Sequence, residues 1–238
     1  MFAADPKTLN RIAPSIRRIV IADPNPASAR LLMDIMKGIG SREVFIESDE
    51  DRTLELLRDV EPGVVFTERR GETLNGETLT RRMRRSSMSC RTVPVIMVTG
   101  DATASSIKGA RDAGVHEFLR KPFTAGDLFK RIENVALKPR PWVEAVGYVG
   151  PDRRRFNSTD YAGPRKRKQD AGNTVPTQVA TKDQAMRILA AALTQFNADP
   201  AQAVRAIREQ SRILKKLAVE QGDAALAAKG WKYPVLPF

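Results

Sequence analysis

Short apolar runs alternate with amphipathic stretches over the first 137 residues. Ile19 to Ala22, "EVFIES" from Glu43, Val64 to Thr67, Val93 to Thr99 and "HEFLRK" from His116 predict five strands. Runs as continuously apolar as "VPVIMVT" suit strands buried on both faces, as in a parallel sheet. Asn25-Pro26 opens the first intervening helix, with Asn as N-cap and Pro in the first turn. Leu31, Leu32, Ile35, Met36 and Ile39 form its apolar stripe, and Gly40 closes it. Ser48 with Asp51 predicts a capping box for a second helix carrying Leu54 and Leu57. Helices through "ETLTRRMRR" and "ASSIKGARDAG" follow, and Thr124 with Asp127 starts a fifth, carrying Leu128 and Ile132. Strands and helices in strict alternation predict one doubly wound α/β domain over residues 16–137.

The pattern changes after Leu137. Residues 138–180 are rich in proline, glycine and charge and predict a linker or extended arm. The arm contains a short repeat, "YVGPDRRR" from Tyr148 and "YAGPRKRK" from Tyr161. Residues 181–230 predict a helical hairpin. Thr181 with Gln184 marks the start of its first helix, which carries Met186, Leu189, Leu193 and Phe196; Asp199-Pro200 starts the second, with Val204, Ile207, Leu214 and Leu217 at near-heptad spacing. Such a stripe needs the first domain, a partner protein or a second copy of the chain to cover it, so a homodimer through the hairpin is one candidate assembly.

Composition narrows the chemistry. The single cysteine, Cys90, excludes an internal disulfide and a multi-cysteine metal site, and its polar surroundings suggest an ordinary loop thiol. The single histidine, His116, is expected at the surface and leaves no basis for a Ser-His-Asp triad. No apolar run approaches a membrane span and the first residues lack a signal peptide's apolar centre, so a cytoplasmic protein is expected. The net charge of +12 favours anionic partners.

In a doubly wound sheet the functional crevice lies at the carboxyl ends of the strands. Asp23, Glu68, Thr99 and Lys121 fall at four such ends. Acid, hydroxyl and ammonium groups gathered there form a phosphate-site pattern. Together with "IVIADPNP", "PGVVFTERRGETLNG", "VPVIMVTGDA" and "FLRKPF", these residues make the stretch from about Arg17 to Leu137 resemble a response-regulator receiver domain of the CheY-like kind. The resemblance implies a flavodoxin-like five-stranded parallel sheet, here followed by the α-helical hairpin. It also implies phosphoryl transfer from a histidine kinase to an aspartate, assisted by Mg²⁺, and a cis Lys121-Pro122 bond.

Two residues depart from that family's pattern. Glu68 stands where the acceptor aspartate belongs, and Pro24 replaces the second acid of the first-strand pair. Phosphoryl transfer depends on position and charge, and the additional methylene of glutamate moves the nucleophile. Any metal would rest on Asp23 and Glu68 alone, so Mg²⁺ is expected to bind weakly at best and no other cofactor is expected. Glu68 is therefore expected either to reach Thr99 and Lys121 as a fixed stand-in for a phosphorylated aspartate, or simply to pair with Lys121 across the strand ends. The family's aromatic switch position is Phe118. The expected function is that of a non-enzymatic pseudo-receiver, an adaptor contacting a protein partner in bacterial two-component signalling; a conventional phosphoacceptor is the third reading.

The alternative is a second-messenger effector. Residues 138–170 hold nine Lys/Arg against four Asp/Glu. Arginines can grip guanine edges or phosphates and tyrosines can stack on bases. Tyr148, Asp152, Arg153, Arg154, Arg155, Tyr161, Arg165 and Arg167 could so clasp cyclic di-GMP, as in a loosely similar subclass of CheY-like proteins with arginine-rich tails. A solvated basic linker and nonspecific binding of nucleic acid or acidic proteins stay open for the same residues. The hairpin does not suggest a DNA reader, because it has two helices and "NADPAQ" is not a helix-turn-helix joint.

Overall fold

The computed structural model describes residues 5–153 and 178–220. The chain divides into two compact units, Met1–Val143 with Tyr148–Tyr161, and Glu144–Gly147 with Ala162–Phe238. Among the described residues no helix is long and apolar enough to cross a membrane.

The first unit is built on a parallel sheet of β1 (Arg18–Ala22), β2 (Glu43–Glu47), β3 (Val64–Thr67), β4 (Val95–Thr99) and β5 (Glu117–Arg120), in the order β2-β1-β3-β4-β5. That is the flavodoxin-like order. The connecting helices are α2 (Pro26–Ile39), α3 (Glu50–Val60), α4 (Gly76–Arg85), α5 (Ala104–Ala113) and, after β5, α6 (Ala125–Leu137). Strand alternation sorts the core into two layers. Ile19, Ile21, Val64, Phe66, Ile96, Val98 and Leu119 face α2 and α6 through Leu32, Met36, Leu128 and Ile132. Val20, Val65, Val95, Met97 and Phe118 face the other way, onto Leu57, Leu79, Met83 and Ala110. Each fully buried aliphatic side chain contributes about 1.5–3 kcal/mol relative to exposure.

Three expected caps hold, at two helices. Asn25 accepts from the Ser28 N–H, Gly40 ends α2 at φ 115°, and Thr124 with Asp127 forms a complete capping box. At α3 the cap is Asp49 rather than Ser48, its carboxylate accepting from the N–H groups of Asp51 and Arg52. The carboxylate one residue on reaches two first-turn donors at once.

An unforeseen helix, α1 (Pro6–Ile16), precedes the sheet and buries Ile12 and Ile16 in the first core layer. Pro14 interrupts its pattern in the sequence. Residues 142–151, expected as part of an arm, form two short paired strands, β6 (Trp142–Glu144) and β7 (Val149–Pro151). Gly114, in the left-handed region at φ 94°, permits β7 to approach, since a Cβ there would lie 2.8 Å from the Val149 carbonyl oxygen.

Beneath these strands lies Arg84, with no exposed surface. Its guanidinium donates to the carbonyls of Gly114, Arg91 and Val93, contacts Nδ1 of His116 at 3.2 Å, and lies 5.3 Å from the Trp142 ring centroid. His116 is thus buried, not at the surface, because its ring nitrogen serves this cluster. Burial, with Arg84 and Arg140 beside it, holds the imidazole pKa well below its ordinary value. Cys90 is likewise buried, its thiol donating to the Leu57 carbonyl.

In the second unit α7 (Gln178–Thr194) and α8 (Pro200–Glu220) pack together as a hairpin. Ala185, Leu189 and Leu214 form its small core, with Ile207 and Ile213 against it. Helix α7 starts before Thr181, which is therefore not its cap; Asp199 does cap α8, accepting from the Gln202 N–H. Met186, Leu193, Phe196 and Val204, expected on the covered stripe, are exposed.

Candidate functional site

The carboxyl ends of β1 and β3, with the residue after β5, bring together Asp23, Glu68 and Lys121. The parallel register sets Ala22 opposite Thr67, and the Glu68 N–H donates to the Ala22 carbonyl. The acids following those two strands are therefore neighbours. Lys121 donates its own N–H to the Thr99 carbonyl and is followed by a cis bond to Pro122.

The Lys121 ammonium bridges the two acids, with Nζ 2.7 Å from Glu68 Oε2 and 3.0 Å from Asp23 Oδ2. Burial lowers the Lys121 pKa, but the hydrogen bonds from the ammonium to Glu68 and Asp23 outweigh it and leave the group raised. The remaining carboxylate oxygens are also engaged. Asp23 accepts from the Asn25 N–H and the Ser28 hydroxyl, and Glu68 Oε1 accepts from the N–H of Arg69.

Thr99 lies at the same edge but joins a different set. Its hydroxyl accepts from the Asp101 N–H, 3.3 Å away, and makes no hydrogen bond to Glu68. The glutamate side chain spends its reach on Lys121 and on its own neighbour's backbone, so the expected Glu68–Thr99 approach is not formed. Phe118 is buried in the second core layer, 5% exposed.

Sequence reasoning missed Arg69. Its guanidinium pairs with Glu77 at 2.9 Å and with Asp101, tying the loop after β3 to the loop after β4. Asp101 also accepts from the Ser106 hydroxyl, which, with Arg69 and the Thr103 N–H, holds its carboxyl below the ordinary range. An arginine beside Glu68 was visible in the sequence, but its partner 32 residues away was not.

The residues do not fit the divalent cation that the resemblance implied. Such an ion seeks a near-octahedral oxygen set, with several carboxylate or carbonyl ligands. Here two carboxylates share an ammonium, and Pro24 offers a ring where a third acid would stand. That ring packs on Gly71, where a Cβ would lie 2.2 Å from Pro24 Cγ. Among the described residues no group of three or more His, Cys, Asp or Glu side chains is arranged to hold a metal.

Three members of the expected nucleotide clasp are described. Tyr148 is buried, donates to the Pro151 carbonyl, and has its ring covered by the Arg153 guanidinium at 4.4 Å; burial pushes its pKa up to about 12. Arg153 also pairs with Asp112 at 2.9 Å, and Asp152 uses its N–H on the Pro141 carbonyl. Arg154, Arg155, Tyr161, Arg165 and Arg167 lie outside the described residues.

Residues 19–133 match the family model for the response regulator receiver domain. The chemotaxis protein CheY of Pseudomonas aeruginosa is 27% identical over 118 residues, covering 50% of this chain and 94% of that protein. The sensory/regulatory protein RpfC of Xanthomonas campestris is 23% identical over 124 residues, 52% of this chain but only 17% of RpfC. Among solved structures, the receiver domain of a sensor histidine kinase from Pseudomonas aeruginosa, with magnesium coordinated in its active site cleft, is 23% identical. It covers 51% of this chain and 97% of its own, at a TM-score of 0.46. With the strand order, the acidic strand ends and the Lys-Pro step all in place, residues 19–133 are a response regulator receiver domain of the CheY-like kind.

Proposed function

We propose that this receiver is a phosphorylation-independent adaptor, acting through protein contacts in two-component signalling. The observation that carries the reading is the Lys121 ammonium held between Glu68 and Asp23. In that arrangement the group that would meet an incoming phosphoryl oxygen is already neutralised by resident acids. The carboxylate at the acceptor position carries an additional methylene, and the third acid is a proline. Each change removes positioning or charge from a reaction that has little else to draw on.

The Arg69 link between the two loops supports the same reading, because it holds the loop that follows Thr99. The face formed by α5, β5 and α6 would then be presented to a partner without waiting for a kinase. The described part of the basic segment supports a structural role rather than nucleotide capture, since Tyr148 and Arg153 are engaged with each other and with Asp112.

The test is incubation of the full chain with phosphoramidate and magnesium, followed by intact mass measurement. No phosphoryl adduct is expected on the native chain, whereas Glu68→Asp combined with Pro24→Asp should acquire one that is labile to base. An adduct on the native chain that disappears in Glu68→Gln would overturn the proposal.

A further inference from the structure

The helical hairpin presents one strongly charged surface that the receiver reading does not use. Along α8, Arg208, Arg212, Lys215 and Lys216 are all exposed, and the side chains of Arg212 and Lys216 are 78% and 80% exposed. At 3.6 residues per turn Arg208, Arg212 and the adjacent Lys215 and Lys216 fall on one side of the helix, extending about 12 Å from Arg208 to Lys216. Arg205 lies on the same side one turn earlier, half-buried. The opposite side is spent on packing, with Ala203, Ala206, Leu214, Leu217 and Ala218 buried.

Cations at i and i+4 repel one another on an isolated helix. The acids nearby lie beside the stripe: Glu209 engages Arg212 through both carboxylate oxygens, and Glu220 stands 3.9 Å from Lys216. Arg208 and Lys215 have no acid of that kind among the described residues. Arg208, Arg212 and Lys215 follow one another at about 6 and about 4.5 Å of helix rise, with Lys216 directly beside Lys215, and such a row of one sign matches a partner whose charges are also closely set and of one sign, as phosphates are along a nucleic-acid strand. The net charge of +12 gives the whole molecule a field of the same sign. An anionic lipid surface would call for a broad outward apolar face on this helix, whereas only Val204 and Val219 among its large apolar side chains are exposed.

We propose that the exposed face of α8 binds the phosphate backbone of a nucleic acid without reading its bases. This goes beyond the adaptor reading, which concerns the receiver, and stands or falls separately from it. Contact would be by charge and by arginine forks on phosphate oxygens, so affinity should fall steeply with salt and ignore sequence.

The experiment is anisotropy titration of the full chain against a labelled random duplex of about 20 base pairs, between about 50 and about 200 mM salt. The logarithm of affinity should fall with the logarithm of salt concentration at about 0.9 for each phosphate neutralised. Replacing Arg208, Arg212, Lys215 and Lys216 by Gln should flatten that slope by about 3 to 4 and weaken binding at least about tenfold at low salt. Removing the same charge from the receiver surface, at Arg30, Arg42, Arg52 and Arg58, serves as control and should change the slope far less. Circular dichroism checks that the hairpin variant keeps its helix content. Duplex binding that is unchanged by the hairpin substitutions, or reduced equally by both sets, overturns the proposal. So does tighter binding, at matched salt, to polyglutamate or to vesicles of phosphatidylcholine and phosphatidylserine in equal parts.

Discussion

Two cations, one half-buried and one fully buried, sit at opposite ends of the same sheet, and the chain accommodates them in different ways. Lys121, at the carboxyl ends of the strands, is 25% exposed and lies between two carboxylates. Arg84, below the amino ends of β4 and β5, is fully buried and has no carboxylate partner among the described residues. Backbone carbonyls, an imidazole nitrogen and the face of Trp142 take its place. Burial pulls the Arg84 pKa down to about 9, so the group stays charged at neutral pH. The planar guanidinium suits this setting, because its donors fan out to several fixed carbonyls at once, whereas an ammonium meets a few acceptors at a point. One end of the sheet holds its cation with side-chain acids that a single substitution removes. The other holds it with the main chain, which cannot be exchanged. The first is a site and the second is scaffold.

The contrast breaks most visibly at Arg84. Replacing it by Met strands the carbonyls of Gly114, Arg91 and Val93 in a buried pocket and removes the group beneath Trp142. A loss of about 3–5 kcal/mol is expected from denaturant unfolding, since a buried charged network loses its centre. Arg84→Lys should recover little of it, because the ammonium cannot reproduce the fork. A loss below about 1 kcal/mol would show that the carbonyls find water instead, and that the scaffold description is wrong.

At the other end the effect should be smaller and repairable. Lys121→Met leaves Asp23 and Glu68 without their shared ammonium and should cost about 1–3 kcal/mol at neutral pH. Adding Glu68→Gln should return part of that loss, with a coupling energy of about 0.5–3 kcal/mol between the two positions. Strict additivity of the single substitutions would mean that the 2.7 Å contact contributes nothing to stability. Because the Lys121 pKa is raised, its contribution is complete below the ordinary lysine range and is lost as pH climbs through the folded value.

The two ends were unequally legible in the sequence. Asp23, Glu68, Thr99 and Lys121 could be gathered in advance because each follows an apolar run, and parallel strands put all such positions at one edge. What could not be foreseen was which of them would touch. Thr99 turns to Asp101, and Arg69 reaches across 32 residues to the same acid; neither preference leaves a periodic trace. The Arg84 cluster was invisible for a different reason. An arginine in "TRRMRR" on a basic helix looks like a solvated charge, and only the approach of Trp142 and Tyr148 from a segment rich in proline and glycine closes over it. That segment has linker composition, yet it pairs with itself through β6 and β7 and is tied to the domain beneath by Arg140 and Arg153. Helix α1 was hidden by Pro14, although Ile12 and Ile16 fall on one face.

The least disruptive way to sharpen the comparison is to titrate the scaffold rather than cut it. His116 Nδ1 lies against the Arg84 guanidinium and the Val95 N–H, and Arg140 donates to the His116 carbonyl. Protonating the ring would place a cation among cations and convert an acceptor into a donor facing donors. Burial first, and then these cations, lower its folded pKa, and the unfolded chain takes up a proton below about pH 6.5 that the folded chain refuses. Stability should be complete above that value and fall as pH drops below it, by up to about 1.4 kcal/mol for each pH unit until the folded value is reached. His116→Asn retains an acceptor oxygen and removes the titration, so the difference between the two unfolding curves should vanish near neutrality and grow toward pH 5. A difference that stays constant with pH would mean that the ring is not held neutral by Arg84, and the two ends of the sheet would then differ in geometry but not in electrostatic character.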